Sequence, residues 1–232
     1  MKAITAESKT GRFSARLYKA AGEIWQKSHE HPFLKELGEG SLSAERFVYY
    51  LKQDYVYLID YAKMFAYGSV KATDLDTIAK MSALSYSTLN TEMELHRQYA
   101  AKFGVSREEL EGTKPSPTTT AYTGYLLNVA AQGSLADVVS AVLPCMWSYR
   151  EIGVKLAELP ERLTHPLFGE WVAMYSSTEF GELTEWTIDL MDRLAEGLSE
   201  PERERLIGHF VTASKLEYMF WQMAYVQEEW PV

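Results

Sequence analysis

The chain has 232 residues, 47% of them hydrophobic, and its 23 Lys+Arg against 32 Asp+Glu leave a net charge of −9. Such a length and apolar content build one domain, or at most two small ones, with a sizeable buried core, and argue against a disordered chain. The acidic balance excludes the broad basic surface that nucleic acids and anionic membranes require.

In chain order, the first nine residues hold no apolar run and no small-residue cleavage site, so no secretory leader is expected. No stretch of ~18 apolar residues follows, so a cytoplasmic chain without a membrane span is expected. Residues 10–29 place Phe13, Leu17, Ala20 and Ile24 at helical spacing. Beyond Gly38, Gly40 and Ser41, residues 43–72 repeat that spacing with Phe47, Tyr50, Asp54, Tyr57, Leu58, Tyr61 and Phe65. Asp74 reads as the N-cap of a third helix that runs to Phe103, where Gly104 stops it. Ser106 with Glu109 forms a capping box for a short helix. Lys114-Pro115-Ser116-Pro117 breaks the pattern, and helices over 118–131 and from Ser134 to about Leu159 follow. Pro144 falls inside the second of these and is expected to kink or split it. Residues 166–175, 178–198 and 200–227 complete the chain, with Pro201 in the first turn of the last helix. No segment alternates with period two. The expected fold is all-α, a single-domain bundle of about seven or eight helices over 1–232, ordered over about 10–230.

The five histidines are preceded, three residues earlier, by Gln26, Ser28, Met93, Arg162 and Leu206, none of them acidic. The Glu-x-x-His pair of di-metal bundles is therefore missing, and no Cys pair or His-Glu-x-x-His supports zinc, so no metal is expected. His29 and His31 read as a solvated helix-end pair, with a haem ligand as the alternative. Phosphate-cradling glycine loops and a Gly-x-Ser-x-Gly elbow are absent.

Three constellations carry chemistry. The single cysteine, Cys145, excludes an intrachain disulfide. Pro144 sets it at a kink or a helix start, and a helix N-terminus lowers a thiol pKa. The alternative is a small buried hydrophobe beside Tyr149. Asp54 lies on an apolar face with Tyr50, Tyr57 and Tyr61, either satisfied by tyrosine hydroxyls or aimed at a substrate amine. Glu217 shares a face with Phe220 and Trp221, a setting that raises a carboxyl pKa and suits a general acid. Its alternative is a rim Glu paired with Lys or Arg. A thiol, two carboxylates and some of the 15 tyrosines suit a flat, nitrogen-rich ring that stacks on an aromatic side chain.

Four ordered motifs carry a family resemblance: residues 47–58, Lys114-Pro115-Ser116-Pro117-Thr118 with Tyr122, residues 143–149, and residues 217–225, with His31-Pro32-Phe33 ahead of them. Over about residues 13–230 the chain resembles the thiaminase II, or TenA-type aminopyrimidine aminohydrolase, family. The resemblance implies a haem-oxygenase-like bundle that uses no haem or other cofactor and is commonly a homotetramer. It implies hydrolysis of thiamin, or of its breakdown product 4-amino-5-aminomethyl-2-methylpyrimidine, to the hydroxymethylpyrimidine in thiamin salvage or degradation. Its partner is then a small pyrimidine, not nucleic acid or membrane. Position by position, Cys145 corresponds to the nucleophile, Glu217 to the acid that protonates a ring nitrogen, and Tyr57 to a residue supporting the thiol. Asp54 corresponds to the ligand of the amino group and ring nitrogen, Tyr149 to a substrate-binding hydroxyl, Tyr122 and Tyr175 to pocket residues, and Phe220 to the stacking platform. Met146, Ser148 and Ser176-Ser177-Thr178 depart from some relatives, which bears on substrate preference. The alternatives are a pyrimidine-binding regulator with reduced turnover, opposed by the intact Cys145 and Glu217, and a redox enzyme, opposed by the missing Glu-x-x-His.

Overall fold

The helical periodicity is realised throughout a computed structural model that describes residues 11–232, and no strand occurs among them. The helices are α1 Phe13–His29, α2 Pro32–Glu39, α3 Ala44–Lys71, α4 Leu75–Ser87, α5 Met93–Lys102 and α6 Arg107–Glu111. They continue as α7 Pro117–Gln132, α8 Leu135–Ala157, α9 Gly169–Ser176, α10 Thr178–Ala195 and α11 Glu200–Val226. The expectation of seven or eight helices is too low. The short α2 went unread, and the third predicted helix is two, joined by a π-turn over Thr88–Glu92. The absence of a leader was read from residues 1–9, which lie outside the described residues, as does the start of the 1–232 span.

The chain forms two compact units, one from the chain up to Leu42 with Val139–Tyr218, the other from Ser43–Val138 with Met219–Val232. Two of the boundaries fall inside α8 and α11, so no linker marks them. No helix is long and apolar enough to cross a membrane among the described residues.

In the first unit an aromatic cluster forms the core. Trp25 of α1 lies edge-on to Trp147 of α8 at 5.5 Å and 5.6 Å from Phe210 of α11. Its indole N–H donates to Ser214 Oγ at 3.1 Å, so the polar edge is not left bare. The start of α1 has no side-chain cap of its own. Asp192 of α10 supplies it, accepting from the Ser14 amide at 2.7 Å and the Ser14 hydroxyl at 2.8 Å. His31 corrects the reading of a solvated pair: it is 2% exposed and caps α2, its Nδ1 accepting from the Phe33 amide at 3.1 Å. Pro32 at the first position of α2 is the signal that was available. Of the two outcomes expected at Pro144, a kink or a split, the split does not occur, and α8 runs unbroken from Leu135 to Ala157.

In the second unit α3 is the hub, packed against α4, the π-turn, α5, α6 and α7. Most of its buried residues are aromatic or aliphatic, but Gln53 and Asp54 are buried with them. Gln53 clamps the start of α7: its Nε2 donates to Lys114 O at 3.1 Å, and its Oε1 accepts from the Ser116 amide at 2.9 Å and Thr119 Oγ1 at 2.7 Å. Ser116 in turn caps α7 through Thr119 N. Glu228 adds to this end, accepting from Thr118 N at 2.9 Å. Gln53→Ala should therefore leave the buried Ser116 amide without its acceptor, remove the bonds to Lys114 O and Thr119 Oγ1, and lower the unfolding free energy by about 2–4 kcal/mol. A urea-unfolding midpoint within error of the unsubstituted chain would contradict that assignment.

Candidate functional site

Each predicted site residue lies on a long helix or on the short α9, and the two units hold them in two groups. In the first unit, Cys145 sits about three turns inside α8. Cys145 lies in the interior of α8 rather than at its N-terminus, so the dipole of its own helix does not favour a thiolate there. The thiol is also half-buried rather than buried, in contrast to Leu143, Met146 and Trp147 around it in sequence. Pro144 has no N–H, so the Ser140 carbonyl lacks its usual helical donor one turn back. Four residues beyond the thiol, Tyr149 shares its helix face and meets Tyr175 of α9 at 4.8 Å. The two predicted pocket tyrosines are thus brought together.

Two residues that sequence reading passed over fix that pairing. Gly153 is one turn beyond Tyr149, and a Cβ there would lie 2.6 Å from the carbonyl carbon of Tyr175. Only glycine lets α8 and α9 approach so closely. Arg150 is buried, and its Nη1 donates to the carbonyls of Tyr175 at 3.2 Å and Ser177 at 2.7 Å, at the C-terminal end of α9. A cation there also opposes the negative end of the helix dipole. Desolvation lowers the Arg150 pKa from its usual value. Glu217 on α11 is 3% exposed, so the reading of a buried acid fits and the exposed rim position does not.

In the second unit, Tyr57 of α3 is the centre of an aromatic group. It stands 5.0 Å from Tyr122 of α7 and 5.8 Å from Phe220 of α11. Tyr50, one turn before Asp54, stacks on Trp221 at 5.6 Å and lies edge-on to Phe220 at 6.1 Å. Asp54 was expected to be satisfied by tyrosines or open to a substrate. Its closest partner is neither: His96 Nε2 lies 2.7 Å from Oδ2, with the Tyr50 hydroxyl at a weaker 3.4 Å. Sequence reading missed His96, because the regular spacing assumed for residues 74–103 hides the π-turn before it. Glu92, the last residue of that turn, has its carboxyl pushed up to about 7 by burial; the His96 charge and a Thr88 hydrogen bond oppose this, and the Asp54 charge adds to it. Among the described residues no group of three or more His, Cys, Asp or Glu side chains could hold a metal ion.

Glu92 gives a pH signature with a definite sign. Its carboxyl titrates near 4.5 when unfolded and near 7 when folded, so the folded chain binds this proton more tightly. Stability falls as pH rises through that window and levels off above it. The Tm of the unsubstituted chain relative to Glu92→Gln should therefore be highest at the acid end and decline towards neutrality. A difference that stays constant with pH, or rises, would contradict the placement of this carboxyl.

Residues 18–227 match the model of the TENA/THI-4/PQQC family. An aminopyrimidine aminohydrolase of Halalkalibacterium halodurans is 51% identical over 218 residues, which are 94% of this chain and 97% of that protein. A solved structure of a TenA family transcription regulator from Silicibacter sp. TM1040 has a TM-score of 0.87 at 29% identity, covering 94% of this chain and 99% of that one. A domain of unknown function with a heme oxygenase-like fold from Shewanella denitrificans OS217 has a TM-score of 0.72 at 16% identity, covering 92% of each chain, and establishes that fold here. With the family model spanning nearly all of the described residues, the chain belongs to the TENA/THI-4/PQQC family.

Proposed function

We propose that this protein is an aminopyrimidine aminohydrolase of thiamin salvage, converting 4-amino-5-aminomethyl-2-methylpyrimidine, or thiamin, to the hydroxymethylpyrimidine. The observation that carries the reading is the 51% identity to a relative of that name over nearly the whole of both chains. The net reaction exchanges an amine for water at the exocyclic methylene carbon.

The roles assigned to the residues follow the family resemblance and the chemistry of the ring. Glu217 gives a proton to a ring nitrogen, and the Cys145 thiolate adds to an electron-poor ring carbon, whose electrons move to that nitrogen. Those electrons then expel the amine from the methylene carbon. Water adds to the exposed methylene and loses a proton, the ring nitrogen returns its proton to Glu217, and the ring regains aromaticity as the thiolate leaves. Half-exposure of Cys145 supports access to the thiol, and burial of Glu217 supports transfer of its proton within the site rather than to bulk water. Tyr57 supports the thiol, and Asp54 accepts a hydrogen bond from the 4-amino group. Tyr149, Tyr122 and Tyr175 line the ring, and Phe220 stacks on it. A reducing cytoplasm keeps the thiol reduced, and a homotetramer is the expected assembly, which light scattering checks.

Purified protein given aminomethylpyrimidine and thiamin side by side should release hydroxymethylpyrimidine from at least one, and no product from either would overturn the activity. Cys145→Ser should abolish release while far-UV circular dichroism stays unchanged. Full turnover in that variant removes the nucleophile assignment. Glu217→Gln should slow turnover by roughly 10²-fold or more, the scale of a lost general acid, and an unaltered rate removes that role.

A further inference from the structure

The π-turn decides which residues of α5 face inward. Buried positions along α4 and into the turn are Thr77, Met81, Leu84 and Thr88, at steps of four, three and four. An uninterrupted α-helix would keep that stripe going through about residue 95. The turn inserts one extra residue, and the next buried positions are Met93, His96 and Ala100. Leu95 is left 49% exposed and His96 becomes 6% exposed. Burying an imidazole while a leucine faces water runs against the apolar driving force. π-turns of this kind recur at functional sites.

The buried ring meets two acceptors. Nε2 lies 2.7 Å from Asp54 Oδ2, and Nδ1 lies 3.1 Å from the Glu92 carbonyl oxygen. A carbonyl only accepts, so Nδ1 carries a hydrogen. A neutral ring would then set a bare Nε2 lone pair against Oδ2 unless Asp54 itself carried the proton, on an oxygen to which the Tyr50 hydroxyl already donates. An imidazolium donates at both nitrogens and leaves Asp54 ionised. The other titratable groups in reach are the Tyr50 hydroxyl, also on Oδ2, and the Glu92 carboxyl. Arg97, the neighbouring cation, is engaged by the Tyr55 hydroxyl and Glu94. Both donors to Asp54 converge on Oδ2, and among the described residues none reaches Oδ1.

We propose that His96 is a positioning residue that holds Asp54 as an ionised carboxylate with Oδ1 open to accept a hydrogen from the substrate's amino group. The proposal rests on the reading of Asp54 as the ligand of that group. The imidazolium fixes the rotamer of Asp54 and makes the buried pair neutral overall, so neither charge is left uncompensated. Burial by itself would lower the His96 pKa. The hydrogen bond and charge of Asp54, with the charge and carbonyl of Glu92, outweigh it and hold the pKa above its usual 6.5.

In enzyme labelled with 15N in its histidine rings, the His96 signal is assigned by its loss in His96→Gln. Both of its nitrogens should be protonated at neutral pH, and in Asp54→Asn the ring should become neutral. A neutral ring in the unsubstituted enzyme, or a charge unmoved in Asp54→Asn, overturns the proposal, whether or not other variants fold. In kinetics with the aminomethylpyrimidine, His96→Leu should lower kcat/KM by ~10–100-fold, mainly through KM, as for a lost hydrogen bond to a charged group. His96→Gln keeps a donor and should recover part of the loss. Unchanged kcat/KM in His96→Leu overturns the positioning role. If Asp54→Asn keeps full kcat/KM while the ring measurement holds, the fault lies in the reading of Asp54 and the proposal falls with it. If Asp54→Asn is impaired while the ring is neutral, the role of His96 alone falls.

Discussion

Burying polar side chains in the middle of an apolar helix is the constraint from which the second unit follows. α3 carries Gln53 and Asp54 side by side among aromatic neighbours, and neither can be buried without partners. Each is satisfied by a different element. Gln53 takes the entry of α7, fixing where that helix begins and hence where Tyr122 meets Tyr57. Asp54 takes His96, and a regular helix from Leu75 to Lys102 would not turn that ring inward. The π-turn is the local cost of the match. A single extra residue moves the inward stripe, at the expense of an exposed leucine.

The first unit reaches rigidity by another route. Its candidate pocket tyrosines are held by a close backbone approach at Gly153 and by a buried arginine across the end of α9. Neither device touches the ring faces of Tyr149 or Tyr175. Both act on the backbone of the short helix that carries Tyr175, so small side-chain changes around the tyrosines leave the pairing in place. A Cβ at position 153 or loss of the guanidinium would not.

Legibility in the sequence follows the range of the interaction. The long helices, the caps at Asp74 and Ser106, and the apolar faces depend on residues within one or two turns, and local spacing carries them. The short α2 escaped because its cap is an imidazole rather than a hydroxyl or carboxylate, although Pro32 marked its first turn. The π-turn was illegible for a different reason. It changes the period in mid-helix, without a proline or glycine between residues 75 and 102 to mark the change. His96 therefore carried no signal until its partner 42 residues away was in view. At Pro144, of the kink or break that proline produces, the sequence left both open, and α8 continues through it with buried residues on either side.

The continuity of α8 shifts where reactivity has to come from. A thiol at a helix N-terminus is made nucleophilic by the field of the unpaired amides, and would need little help from its target. Cys145 lies inside α8 and receives no such field from the start of its own helix. In the proposed mechanism the activation moves to the electrophile, because a proton on the ring nitrogen lowers the energy of the carbon that the sulfur attacks. In that mechanism the buried carboxyl of Glu217 and the carboxyl of Asp54 are assigned complementary work. One supplies the proton, and the other orients the ring by a hydrogen bond to a group that stays in place throughout. Asp54 is paired with the imidazole of His96 on its own unit, placed there by one extra residue in a helical turn, whereas Glu217 is buried on a helix face of aromatic spacing.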